Sequence, residues 1–196
     1  TIADPELCEQ LIKGARYVYG AYPTVEDRKK WFYANRDFAE YQFACHRALC
    51  FFIYNRITFS GTIEAGGFSA DSAMGRFTLS SIDRLIPMPK ILNGVTINCT
   101  DFSDEILVAD ENTLIYADPP YVIEGKLYGK NGELQDIDHA QLADLLQATH
   151  AKWILSYNDC EEVRALYKWA NIHLSSEQAY GMSNGTRKSE LIITNY

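Results

Sequence analysis

The sequence predicts an α/β protein in two regions, a mostly helical one over residues 1–92 and an α/β one over residues 93–196. Three observations carry this. Helix-start signals and apolar residues with helical spacing fill most of the first region. Glycines and small residues interrupt that pattern over residues 60–75, which reads as a loop or irregular excursion. From Val95 onward, short apolar runs alternate with helix-length segments, and a strand-helix-strand-helix-strand order implies a parallel sheet with crossover helices.

Asp4-Pro5-Glu6 combines an N-cap acid, proline at the first helical position and an acid in the first turn, so a helix starts there and runs to about Tyr19. A second helix begins near Thr24. Residues 37–54 carry apolar side chains on nearly every face and predict one long, well-buried helix. Residues 80–83 predict a short helix ahead of Pro87 and Pro89. Val95-Thr96-Ile97-Asn98-Cys99 alternates like a strand, and residues 113–117 form an apolar run of the kind found in a buried strand. Residues 122–137, with Gly125, Gly129 and Gly132, read as a mobile loop. Asp138 caps a helix that turns Leu142, Leu145 and Leu146 to one side, with Gln141 at the capping-box position. Residues 153–156 form the next strand. Asn158 or Asp159 then caps a helix whose inner face carries Val163, Leu166 and Tyr167. Residues 172–176 and 191–194 are the last strands, joined by the Gly/Ser/Asn-rich residues 180–186.

Composition sets the limits. A chain of 196 residues with 47% hydrophobic and 22% charged residues is an ordinary globular protein with a sizeable core. The longest apolar run, residues 48–54, is far short of the roughly 20 residues that span a bilayer. No signal-peptide pattern opens the sequence, so a cytoplasmic location without membrane partners is expected. Five cysteines, with no Cys-x-x-Cys, read as reduced thiols. Histidines and cysteines lack metal-ligand spacing, so no metal is expected. A net charge of -8 argues against simple electrostatic nucleic-acid binding. The charge is uneven, however: residues 24–90 hold nine Lys/Arg against seven Asp/Glu, and residues 101–162 hold three against fourteen.

The run Asp118-Pro119-Pro120-Tyr121 follows the predicted strand 113–117. It suits an aromatic amine whose lone pair is delocalised into its ring. Two acceptors on the amine hydrogens make that lone pair available. The Asp118 carboxylate supplies one. The Pro119 carbonyl supplies the other, held in place because consecutive prolines stiffen the backbone and offer no N–H. Tyr121 adds a flat face for stacking. Open α/β sheets bind ligands just past the carboxyl ends of their strands. The plain alternative is a stiff turn with Asp118 as a cap.

Several further segments accompany the run in order. They are residues 54–63, Gly75-Arg76-Phe77-Thr78 with residues 81–85, Val95-Thr96-Ile97 followed by Asp101-Phe102, residues 114–121, residues 138–142, residues 152–159, and Gly185-Thr186-Arg187-Lys188 with residues 190–196. Together they resemble the Dam-type (D12 class, alpha-group) DNA adenine-N6 methyltransferases over residues 43–196. The resemblance implies a Rossmann-like sheet of the S-adenosylmethionine-dependent type with a mostly helical target-recognition insertion. It implies S-adenosylmethionine as cofactor and double-stranded DNA as partner, with a flipped adenine as methyl acceptor. Asp118, Pro119, Pro120 and Tyr121 would be catalytic. Asp101, Phe102 and Asp118 would meet the cofactor. Asn55, Arg56, Ser60, Gly61, Arg76, Arg187 and Lys188 would lie near DNA.

The family's opening Gly-rich cofactor segment is not in this sequence, so the sheet is expected to lack its first strands. The chain is then part of a longer enzyme, is completed by a second polypeptide, or is a degenerate relative that binds DNA without methylating it. Asp4 reads as a helix cap and not as the acid that would hold a ribose. Methylation of RNA or protein amides by a related motif is a further alternative, and pairing with a restriction enzyme is left open.

Overall fold

A computed structural model describes residues 1–63, 66–122, 137–175, 178–179, 187–188 and 190–196. The predicted loop at 122–137 and the joining segment 180–186 lie almost wholly outside them. The chain divides into two compact units, Thr1–Ile97 and Asn98–Tyr196.

The first unit is helical. Helix α1 (Pro5–Ala21) starts as expected, with the Asp4 carboxylate accepting from the Leu7 N–H at 2.9 Å. It buries Cys8, Leu11, Ala15 and Val18, one face at helical spacing. Helix α2 (Val25–Ala34) opens on a capping box between Thr24 and Asp27. The single long helix expected over 37–54 is instead a 3-10 turn (Phe38–Glu40) followed by α3 (Ala44–Ile57). The break has a local cause. Tyr41 and Phe43 are extended, and Arg47 Nη1 donates to the carbonyls of Tyr41 at 2.6 Å and Gln42 at 3.1 Å, turning them out of any helical ladder. Nor is α3 buried all round, since Phe43 and Phe51 on its flanks are exposed.

Within the predicted excursion over 60–75, Ser60 and Gly61 belong to a 3-10 turn (Phe59–Gly61). Ser69 then caps α4 (Ala70–Gly75), accepting from the Ser72 N–H at 3.2 Å. A helix at 79–83 appears as expected, as α5 (Leu79–Asp83), and α6 (Met88–Ile91) follows. The expected strand at 95–99 does not form: residues 95–100 have no ladder partner among the described residues, and Val95 and Ile97 are exposed. Alternation alone could not supply the neighbour a strand needs.

Arg28 lies at the centre of this unit. It is buried with no carboxylate partner among the described residues, flanked at 5.1 Å by the rings of Tyr19 and Phe77. Its Nε donates to the Tyr22 carbonyl at 3.1 Å, and its Nη1 donates to Phe77 at 3.2 Å and also to Ala73. One guanidinium thus ties the end of α1, α2, α4 and the turn after α4 together through backbone carbonyls. Around it Trp31, Phe32, Ile53, Tyr54, Ile57 and Ile82 form the core.

The second unit is mixed α/β. Its strands are β1 (Leu114–Ala117), β2 (Lys152–Asn158), β3 (Asn171–Leu174), β4 (Gln178–Ala179), β5 (Arg187–Lys188) and β6 (Glu190–Thr194). The main sheet has the order β1-β2-β6-β3, and β4-β5 is a separate two-stranded ribbon. The parallel arrangement expected from strand-helix alternation holds in direction for β1, β2 and β3, while β6 runs antiparallel to both β2 and β3. β1, β2 and β3 still share one direction, because β1 pairs parallel to β2 and β6 is inserted antiparallel between β2 and β3. Helices α7 (Phe102–Val108), α8 (His139–Ala148) and α9 (Glu161–Leu166) accompany the sheet. Asp138 caps α8 as expected, accepting from the Gln141 N–H at 2.8 Å. Neither Asn158 nor Asp159 caps α9, whose N-cap is Cys160. Asp159 is instead held by Arg164 through two bonds of 2.6 and 2.9 Å.

Trp153, Leu155, Tyr157, Val163, Tyr167, Leu191 and Ile193 are fully buried in this unit's core. β1 is not a buried strand, since Leu114 and Tyr116 are 60% and 64% exposed. It is the edge of the sheet among the described residues. All five cysteines are free, and burial pushes the Cys50 thiol up to about 11. Among the described residues no helix is long and apolar enough to cross a membrane, and no group of three or more His, Cys, Asp or Glu is placed to hold a metal ion.

Truncating Arg28 strands three carbonyls in the interior of the first unit. Arg28→Ala is expected to destabilise the protein by about 3 kcal/mol, read as a lower urea midpoint. An unchanged midpoint would show that water or neighbouring donors replace the guanidinium.

Candidate active site

Parallel pairing places Leu114, Ile115, Tyr116 and Ala117 opposite Lys152, Trp153, Ile154 and Leu155. The ladder ends there, so Asp118 emerges just past the strand end, beside Ser156 on β2. Asp118 is exposed, and its Oδ1 accepts from the Ser156 hydroxyl at 2.8 Å. Ser156 is only 4% exposed, and the Tyr116 hydroxyl lies 3.2 Å from its Oγ. An ionised carboxylate accepts at about four lone-pair positions, so one bond leaves capacity for an incoming N–H. Pro119 and Pro120 are half-buried, and no donor reaches the Pro119 carbonyl among the described residues.

The far end of the run is fastened to neighbouring strands. The Tyr121 hydroxyl donates to Glu190 Oε1 at 2.7 Å. Its ring lies 6.0 Å from that of Tyr157, tilted by 34°. Tyr157 is fully buried, meets His139 through its hydroxyl and edge-on at 5.7 Å, and burial holds that hydroxyl above the ordinary phenol range. The Asn158 side chain clasps Val122 from both sides, accepting from its N–H at 3.0 Å and donating to its carbonyl at 2.7 Å. Two positions on β2, one on β6 and the β1 terminus therefore hold the loop.

Sequence reading missed Ser156, Tyr116, Tyr157, Asn158 and Glu190 as parts of this site. Ser156 left one trace, a polar residue inside an otherwise apolar strand. Asn158 read as a helix cap because local sequence does not show that its partner lies 36 positions earlier.

Asp101 is the N-cap of α7, its Oδ1 accepting from the Ser103 hydroxyl at 2.5 Å and N–H at 2.9 Å. Those bonds, the hydroxyl's first, hold its carboxyl below the usual range. Phe102 is half-buried and packs on the core that includes Ile106.

In the first unit the structure gathers Asn55, Arg56, Gly61 and Arg76. Asn55 Nδ2 donates to the Gly61 carbonyl at 3.1 Å, Arg76 Nη2 to the Asn55 carbonyl at 3.0 Å, and Arg56 Nη1 to Asn55 Oδ1 at 2.5 Å. Arg56 lies 5.2 Å from the Phe52 ring; burial, then the nearby Arg76 and Arg84, lower its pKa. Ser60 and Gly61 both have positive φ, 50° and 75°. A side chain at Gly61 would meet Arg76 Nη2 at 2.9 Å, so the close approach needs glycine. Arg187 and Lys188 form β5, opposite Ala179 and Gln178.

An acceptor-bearing loop past the end of a parallel strand, in a mixed α/β unit, suits an enzyme that modifies an amine. Comparison with known proteins narrows the class. Residues 1–180 match the model of the D12 class N6 adenine-specific DNA methyltransferases, and the chain belongs to that family. It is a transferase of the DNA-adenine-methylating kind. Two relatives from strains of Vibrio cholerae serotype O1, each named DNA adenine methylase, are 23% identical to it over 190 residues. The match covers 85% of this chain and 68% of each relative, so the chain spans about two thirds of their length.

Two substitutions test these frameworks. Asn158→Ala removes both bonds to Val122 and is expected to cost about 1–2 kcal/mol, seen in chemical denaturation. Gly61→Ala forces an alanine into positive φ against Arg76 and is expected to cost about 1–3 kcal/mol, seen in the same measurement.

Proposed function

We propose that this chain binds S-adenosylmethionine and presents a flipped DNA adenine at Asp118-Pro119-Pro120-Tyr121. The observation that carries this is the exposed Asp118 carboxylate, hydrogen-bonded to Ser156 through one oxygen and placed just past the β1 ladder beside a proline carbonyl that no donor reaches among the described residues. Asp118 and the Pro119 carbonyl each accept one N6 hydrogen and draw the lone pair out of the ring. Pro120 keeps the backbone extended, and Tyr121 stacks on the base. As the N6–methyl bond forms, one N6 proton leaves, with Asp118 as the acceptor in reach.

The residues present suit the cofactor. Asp101 keeps an exposed carboxylate beside the half-buried ring of Phe102, an acceptor next to an aromatic edge that fits an adenine ring and its amine. When bound, S-adenosylmethionine supplies an electrophilic methyl, and the electron pair of the broken carbon–sulfur bond stays with its sulfur. The sheet belongs, in this reading, to the Rossmann-like methyltransferase type. Residues 1–92 read the target and residues 93–196 carry the chemistry. Asn55, Arg56, Ser60, Gly61, Arg76, Arg187 and Lys188 face double-stranded DNA, where guanidinium and ammonium groups meet phosphates. The exposed edge of β1 takes a further strand, from an N-terminal segment or a second polypeptide. A cytoplasmic location goes with DNA as substrate.

The direct test is incubation with methyl-labelled S-adenosylmethionine and duplex DNA, followed by nucleoside analysis. Label in N6-methyladenine is expected. Asp118→Ala should lower turnover about 100- to 1000-fold while leaving DNA affinity within about twofold. Loss of turnover and DNA binding together would assign Asp118 a structural role instead.

A further inference from the structure

A carboxylate that must accept from one amine hydrogen has to hold its oxygens in a fixed plane, yet Asp118 is exposed on a loop and free to rotate unless something fixes it. The neighbouring strand supplies a constraint. Ser156 is buried to 4% exposure, lies one residue past the last β1–β2 pair, and its Oγ is 2.8 Å from Asp118 Oδ1. Tyr116 approaches the same Oγ at 3.2 Å from the adjacent strand. Either atom of that second pair could be the donor on distance alone. The chemistry decides between them. An ionised carboxylate has no proton to give, so Ser156 donates to Asp118. Its one hydroxyl hydrogen is then used, and the Tyr116 hydroxyl donates to Ser156. The proton order runs from Tyr116 to Ser156 to Asp118, and each bond polarises the next.

We propose that Ser156 is a positioning residue for methyl transfer, fixing Asp118 through Oδ1 so that the other oxygen faces the substrate amine, with Tyr116 locking the Ser156 hydroxyl. This rests on the reading of Asp118 as the amine acceptor. The buried serine is poorly explained as a core residue. Strand alternation turns its side chain away from Leu155 and Tyr157 and onto the face of Ile154, Asn158 and its pair partner Ile192, all only partly buried, where alanine would serve the packing as well.

The test is steady-state kinetics of the full chain on duplex DNA, with DNA affinity and thermal midpoint measured on the same samples. Ser156→Ala is expected to lower kcat about 10- to 100-fold, as misplacement of a reacting group does, with KM for DNA and the midpoint close to wild type. Ser156→Thr keeps the hydroxyl and is expected to recover most of the rate. Tyr116→Phe, at an exposed side chain whose loss does not threaten folding, should lower kcat about threefold. If Ser156→Ala does not fold, Tyr116→Phe decides alone: wild-type kcat there overturns the proposal. A folded Ser156→Ala with wild-type kcat also overturns it, as does a folded Ser156→Thr no faster than Ser156→Ala. Retained turnover in Asp118→Ala would overturn the acceptor reading itself. Lost turnover there with normal kcat in Ser156→Ala would remove only the positioning role.

Discussion

Parallel pairing between β1 and β2 is the constraint on which the rest of the site depends. It stops at Ala117 opposite Leu155, and this sets where Asp118 leaves the sheet and which β2 residue stands beside it. A one-residue slip would put the buried Leu155 or the tyrosine at 157 in place of Ser156 and turn every β2 side chain to the opposite face. The core resists that slip. Trp153, Leu155 and Tyr157 are all fully buried, and Trp153 Nε1 donates to the Leu146 carbonyl at the end of α8 at 2.8 Å. Asn195 adds a second lock at the start of β2, accepting from the Trp153 N–H at 3.0 Å and donating to the Ala151 carbonyl at 2.9 Å. The chemistry at one end of the strand is therefore positioned by packing and hydrogen bonds at the other.

The first unit relies on the same device, polar side chains bonded to backbone carbonyls, with a different purpose. Arg28 holds segments together from within, where its charge has no acidic partner among the described residues and the carbonyl dipoles and flanking rings stabilise it. Asn55 and Arg76 work nearer the surface, shaping the turn at Ser60 and Gly61. Both φ values there are positive, a conformation a serine tolerates only when its surroundings impose it. Those surroundings are the neighbouring bonds and the isolated bridge between Thr58 and Phe68.

Features written in local order were legible in the sequence. Asp4, Thr24 and Asp138 announced their helices because an N-cap acts on a backbone N–H three residues away. The strands at 114–117 and 153–156 were legible as short apolar runs, and Asp118-Pro119-Pro120-Tyr121 because prolines beside an acid are uncommon after a strand. What was missed depends on residues far apart in the chain. The break at 41–43 needs Arg47 to reach back to two carbonyls. The reversed direction of β6 depends on which strands become neighbours, and residues 95–99 alternate like a strand without having a neighbour to pair with. Tyr121 reads locally as a flat face for stacking, and its hydroxyl's bond to Glu190, 69 positions later, has no local signal.

The uneven charge along the chain bears on how a duplex could use this site. Residues 101–162 carry fourteen acids against three bases, so phosphates are repelled from the stretch that contains Asp118. At physiological salt such repulsion fades over about 8 Å, so the backbone need only be kept a short distance away. A flipped adenine meets that condition, because the extruded base is uncharged while its phosphates remain with the duplex. Under the proposed function the same acids favour a sulfonium-bearing donor over its neutral thioether product, since a cation gains from nearby carboxylates what a neutral molecule does not. The balanced charge of residues 24–90, nine bases against seven acids, leaves that stretch free to approach the backbone. Under the proposed function, net charge misleads as a test for DNA binding in this chain: the acidity belongs to the part proposed to handle a neutral base and a cationic donor.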